Sequence, residues 1–107
     1  MGMKPPCEVF RDFLPAIRAI LVKDLVERHH LSQVEVADRL GITQPAVSQY
    51  LRSLRGASRV RALLKRSDFM SSLRRLSDAI AAGEMGGDQI AREYCHLCAM
   101  LRKGPSP

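Results

Sequence analysis

The sequence predicts an all-α fold, and three observations carry that prediction. Apolar residues recur at three- and four-residue spacing along most of the chain. No stretch alternates apolar and polar residues as a half-buried strand would. The gaps between periodic segments hold residues that start or end helices, among them Ser32, Gly41, Pro45, Ser58 and Gly83. A hydrophobic content of 46% is enough for a core, and with no tryptophan, 2 tyrosines and 3 phenylalanines that core is mainly aliphatic.

The first periodic segment is Glu8–His29, with Phe13, Ile17, Leu21 and Leu25, or Val9, Phe10, Leu14 and Ile17, as alternative stripes. Pro15 falls inside it and lacks the N–H a helix interior needs, so the reading is a short helix followed by a longer one from about Ala16. The second helix is Ser32–Leu40. Ser32 stands three residues before Glu35, the spacing of a capping box, and Val34, Ala37 and Leu40 follow at helical spacing with Val36 beside them. Asp38 and Arg39 are read as facing water. Gly41 comes directly after Leu40, where a helix end favours a residue that tolerates positive φ. Ile42 plugs the turn, Thr43 caps the third helix, Gln44–Leu54, and Pro45 sits in its first turn, where no hydrogen bond is lost. Val47, Tyr50, Leu51 and Leu54 form its inner face, and the small Ala37 lets the two helices cross closely.

After a break at Gly56, Ala57 and Ser58, Arg59–Lys65 reads as a short helix. Ser67–Ala82 follows, with Phe69, Leu73, Leu76 and Ile80 on one stripe. Gly83, Gly86 and Gly87 separate it from a last helix that Asp88 leads and that runs to about Lys103. The domain reading is residues 1–66 as one N-terminal helical unit, 67–103 as a C-terminal helical region, and 104–107 as a disordered tail.

Leu31–Arg55 is a helix-turn-helix pattern, with Gln33 opening the first helix, Ala37 at the contact, Gly41 in the turn, and Val47 and Tyr50 inside the second. It resembles the DNA-binding domain of the lambda-repressor-like class of regulators, which includes the Xre-type proteins. That resemblance implies a lambda-repressor-like helix-turn-helix domain with additional C-terminal helices, and double-stranded DNA as the partner. In such proteins the N-terminal part of the second helix points at base edges, which here means Thr43, Gln44, Ser48 and Gln49. Glutamine can bond adenine through two atoms, and serine or threonine can serve several bases or a phosphate. Arg52, one turn on, reaches a guanine or the backbone. The resemblance places Gln33 on a phosphate.

Charge agrees. The chain has 17 basic and 11 acidic residues, a net of +6, and the excess lies with the helix-turn-helix rather than after Arg66. Arg52, Arg55, Arg59, Arg61, Lys65 and Arg66 form a run with no acid between them. Next to a reading helix such a run contacts phosphates and makes affinity fall steeply with salt.

Ile90, Tyr94, Leu97 and Leu101 fall on one stripe of the last helix and need a partner surface. That surface is either Phe69–Ile80 of the same chain or a mate in a dimer. A homodimer through the C-terminal helices is favoured, because paired reading helices meet successive major grooves about 34 Å apart.

The 3 cysteines are Cys7, Cys95 and Cys98. An odd count argues against a disulfide framework, and with no strand before Cys95-His96-Leu97-Cys98 a thioredoxin-like reading lacks its context. On a helix the two thiols stand about one turn apart on a face some 100° from the apolar stripe, with His96 pointing elsewhere. Pro6-Cys7-Glu8, Leu14-Pro15-Ala16-Ile17-Arg18 and the C-terminal Cys-x-x-Cys together resemble small archaeal helix-turn-helix regulators, some of them fused to thiamine-phosphate-synthase-type ligand domains. Cys7 is then the third ligand. Three thiolates suit an iron–sulfur cluster, or zinc completed by His29, His30 or water, while cysteines that are merely small core residues need no metal at all.

The remaining function classes narrow quickly. No nucleophile–base set, paired carboxylates, phosphate-cradling glycine loop or H-E-x-x-H is present, so no enzyme and no small-molecule substrate is expected. His29 and His30 end a helix, where cations are favoured, so a capping role outranks catalysis. No apolar run approaches a bilayer span and no signal peptide is visible, so a cytoplasmic protein without membrane contact is expected. The expected function is a sequence-specific transcriptional regulator, perceiving a metal or cluster through its cysteines. The alternative is an antitoxin-like interaction module that autoregulates through the same motif.

Overall fold

The computed structural model describes the backbone of residues 7–53 and 58–102 and the side chains of residues 13–53 and 60–101. Among the described residues six helices follow one another: α1 (Cys7–Glu27), α2 (Gln33–Leu40), α3 (Gln44–Ser53), α4 (Ser58–Leu64), α5 (Ser67–Ala81) and α6 (Gly87–Arg102). No strand occurs among the described residues.

Helix α1 is the hub and packs against each of the other five. Ala16, Ile17, Ala19, Ile20, Leu21, Val22 and Leu25 are all buried, which is apolar surface nearly all round the helix rather than one stripe. The two alternative stripes therefore do not compete. A helix surrounded by others buries several faces at once.

Pro15 does not split this helix, contrary to the sequence reading. Pro15 is exposed, so water can reach the carbonyl that its missing N–H would have served. Its neighbours Ala16 and Ile17 are buried, and the burial of their side chains holds the helical path through the proline. The helix ends at Glu27, closed by wide hydrogen bonds from His29 N–H to the Asp24 carbonyl (3.3 Å) and Leu31 N–H to the Leu25 carbonyl (3.1 Å). His30 takes the left-handed conformation there, at φ 58°.

One core cluster joins the helices on both sides of the Ser67 boundary. Ile17, Leu21, Val36 and Val47 belong to it together with Phe69, Leu73, Ile80, Ile90, Tyr94 and Leu97. The C-terminal stripe Ile90–Tyr94–Leu97 is thus buried within its own chain, where α6 packs on α1 and α5. Of the two partner surfaces, these three residues use the intramolecular one, while Leu101 at the end of the stripe is half-buried.

Arginines stitch the helices across the core. Arg18 lies with its guanidinium carbon 5.5 Å from the centre of the Tyr94 ring and donates to the Tyr50 hydroxyl at 3.4 Å, connecting α1 to α6 and α3. Burial pushes the Tyr94 phenol above its usual pKa, and the Arg18 charge pulls part of that rise back. Arg28 grips Asp24 through two atoms, at 3.0 and 2.9 Å, and reaches Asp78 of α5 at 2.6 Å. His29 meets the same Asp78 oxygen at 2.9 Å, so its role is to tie the α1–α2 corner to α5.

Candidate nucleic-acid interface

The corner between α2 and α3 is built by local chemistry. At its entry the capping box is complete: Glu35 N–H donates to Ser32 Oγ at 3.1 Å, and Ser32 N–H donates to Glu35 Oε1 at 2.9 Å. The Ser32 N–H holds the Glu35 carboxyl below its ordinary pKa. At the far end Gly41 is left-handed, with φ 69°. Ile42 N–H donates to the Ala37 carbonyl at 3.0 Å and Gly41 N–H to the Asp38 carbonyl at 3.3 Å, the paired bonds of a Schellman motif. Thr43 then caps α3, its Oγ1 accepting from Ala46 N–H at 3.2 Å.

The inner faces differ in one place from the sequence reading. Val36, Ala37 and Val47 are buried, with Leu40, Ile42, Tyr50 and Leu51 packed half-buried against them. Val34 was expected inside but is 59% exposed. At about 100° per residue, Val36, Ala37 and Leu40 share an arc with Gln33, and Val34 lies beside Asp38 on the open side.

The outer face of α3 carries the expected readers. Thr43, Gln44, Gln49 and Arg52 are exposed and Ser48 is half-buried. Arg52 Nη2 approaches the Gln49 side-chain oxygen Oε1 at 3.5 Å. Ser48 and Gln33 are joined: Ser48 Oγ donates to Gln33 Oε1 at 2.9 Å, across the α2–α3 corner. The first residue of α2 and the middle of α3 therefore present one connected polar surface.

The basic run divides. Arg61 and Lys65 are exposed, as a phosphate contact requires. Arg66 is engaged by Asp68, at 2.8 Å between Nη2 and Oδ2, so its charge is largely compensated and it drops out of the phosphate footprint. Arg55 lies outside the described residues, as does the side chain of Arg59.

Arg39 is the positioning residue that the sequence reading misplaced. Instead of facing water it is half-buried, and its Nη1 donates to the Ile80 and Ala81 carbonyls, each at 2.8 Å. These are the last carbonyls of α5, which have no partner further along the helix. A cation at that end also meets the negative pole of the helix dipole. Gly83 beside it is left-handed at φ 76° and closes α5 with a second Schellman motif, through Glu84 N–H to the Ala79 carbonyl and Gly83 N–H to the Ile80 carbonyl, both at 3.0 Å. An arginine in the last turn of a short helix was visible in the sequence. Its target, 41 residues away, was not.

The cysteines separate. Cys98 is wholly buried and Cys95 half-buried, one turn earlier on α6. The expectation that both stand off the apolar stripe fails for Cys98, because α6 lies against both α1 and α5 and so buries an arc wider than a single stripe. The Cys7 side chain lies outside the described residues. Among the described residues, no three or more His, Cys, Asp and Glu side chains gather as a metal site. His29, considered as a further ligand, is bonded to Asp78.

Residues 22–65 match the helix-turn-helix family, a family of DNA-binding regulators. The matched span runs from the second half of α1 through α4. No curated protein and no solved structure matches the chain. The fold is thus all-α, a lambda-repressor-like helix-turn-helix domain extended by α5 and α6. No helix among the described residues is long and apolar enough to cross a membrane.

Proposed function

We propose that this chain is a sequence-specific transcriptional regulator that lays α3 in the DNA major groove and acts as a homodimer. The observation that carries the reading is the two-sided character of α3. Val47 is fully buried against the core, while Gln49 and Arg52 stand exposed on the opposite face and Gln44 is exposed at the first turn, backed by the Gln33–Ser48 bond. Buried apolar contacts fix the helix as a rigid body, and side chains able to bond base edges are what it displays. Arg61 and Lys65, with Arg55 and Arg59 of the same run, supply phosphate contacts. Dimerisation is supported by the geometry of two-fold operators, which asks for a second reading helix about one DNA turn away.

Selection of bound duplexes from a randomised library tests this. An enriched motif with two half-sites, bound at least about a thousandfold more tightly than random DNA, supports the reading. Uniform binding to all sequences removes it. Light scattering of the free protein and of its complex tests the dimer.

A metal-responsive form of the regulator would use Cys7, Cys95 and Cys98 to hold an iron–sulfur cluster or zinc, and the spacing of these residues in the sequence supports it. Cys98 is fully buried, as small core cysteines often are. Metal analysis and an absorption spectrum of protein purified without oxygen decide the point: stoichiometric iron or zinc supports it, and neither metal removes it.

A further inference from the structure

The bond between Ser48 and Gln33 limits what Ser48 can read. A serine hydroxyl has one proton and two lone pairs, and a hydroxyl on an open helix face can either give or take a hydrogen bond. Here the proton is committed, because Ser48 Oγ donates to Gln33 Oε1 at 2.9 Å. Only lone pairs remain on the oxygen. We infer that Ser48 acts as an acceptor-only reader, selecting a base that offers an amino group in the major groove, adenine through N6 or cytosine through N4, and rejecting guanine and thymine, which present acceptors at the equivalent positions. This rests on the reading of α3 as the recognition helix.

The polarity of the bond is reinforced when DNA is bound. Gln33 is the first residue of α2. With its carbonyl oxygen turned to Ser48, its amide NH2 is left for an outside partner, and a phosphate is the anion that a DNA complex supplies there. Turning the amide over would aim the carbonyl oxygen at that phosphate and return the proton to Ser48. The anion opposes this, so a sequence-independent contact fixes how a neighbouring residue reads sequence.

The test is a selection from a randomised duplex library with the full chain and with S48A, Q33L and Q33E, each variant checked for helix content. The position governed by Ser48 is the one whose base preference S48A flattens. In the unaltered protein adenine or cytosine should lead there by about three- to tenfold over guanine and thymine, the range of one net hydrogen bond. Q33L removes the acceptor and frees the Ser48 proton, so the preference should fall below about twofold. Q33E keeps an acceptor facing Ser48, so the same base order should persist even though loss of the phosphate contact weakens binding overall. Guanine or thymine in first place, an S48A profile identical to the parent, or a Q33L variant with an intact base order would overturn the inference while leaving the recognition helix standing. Failure to enrich any motif would overturn both.

Discussion

Replacing Arg39 with alanine should destabilise the whole domain by about 2 kcal/mol, although the residue is a charged one at the end of a short helix. The magnitude follows from what the guanidinium leaves behind. It makes two hydrogen bonds, each 2.8 Å, to the Ile80 and Ala81 carbonyls. A bond to a charged group contributes roughly 1.5 kcal/mol or more. The Ile80 carbonyl keeps a partner in Gly83 N–H, 3.0 Å away, so the Ala81 oxygen is the one stripped of its donor. Ala81 is half-buried, and water recovers part of the loss. Removing a cation from the α5 C-terminus subtracts a further few tenths of a kcal/mol. Urea unfolding should show a lower midpoint at unchanged slope, and the thermal midpoint should fall by roughly 10 °C for a domain of this size. Arg39→Lys should recover about half, since one ammonium cannot serve both carbonyls in the same fork geometry. Well below the melting point, DNA affinity should keep its salt slope, because Arg39 is spent on α5 and not on a phosphate. A loss under about 0.5 kcal/mol, or a salt slope reduced by about one unit, would show that Arg39 does not hold the end of α5 in this way.

Gly41→Ala should cost about 1–2 kcal/mol, all of it backbone strain at φ 69°, because a Cβ there would meet nothing within 4 Å; Gly41→Asn should cost less, and thermal melts of the pair check this. Leu73→Ala should cost about 3–5 kcal/mol by opening a cavity at a fully buried site, measured by urea titration. Partial burial raises the Asp24 carboxyl, but the Arg28 guanidinium together with Ser77 and His29 more than reverses this, and the same guanidinium lowers Asp78. Both folded-state pKa values therefore lie below the ordinary 3.8, so their stabilisation is complete above that pH and is lost as pH falls through the depressed values. Asp78→Asn should flatten the acid limb of a stability–pH curve without changing its shape above pH about 6. Gln44→Ala with Gln49→Ala should relax base preference while leaving affinity for random DNA within about twofold, and a matched loss on every duplex in an anisotropy titration would deny them direct readout.

The features legible in the sequence are those whose cause is local. The Ser32–Glu35 box, the Gly41 turn and the Thr43 cap depend on residues within five positions of one another, and each forms as read. The stripe Phe69–Leu73–Leu76–Ile80 was legible for the same reason: helical periodicity marks a buried face without knowledge of what covers it. The exposure of Gln49 and Arg52 follows from the same arithmetic on α3.

What the sequence by itself determined is the helical elements, the corner between α2 and α3, and the class of ligand such a corner meets. Tertiary structure alone decided the rest. It kept Pro15 inside a continuous α1 because the flanking apolar residues are enclosed by other helices. It turned Ile90, Tyr94 and Leu97 inward, buried Cys98, and sent Arg39 to a helix end 41 residues away. It also joined Ser48 of α3 to Gln33 of α2. Each of these depends on which surfaces meet, and a partner brought close by folding leaves no mark on the spacing of the residues it will touch.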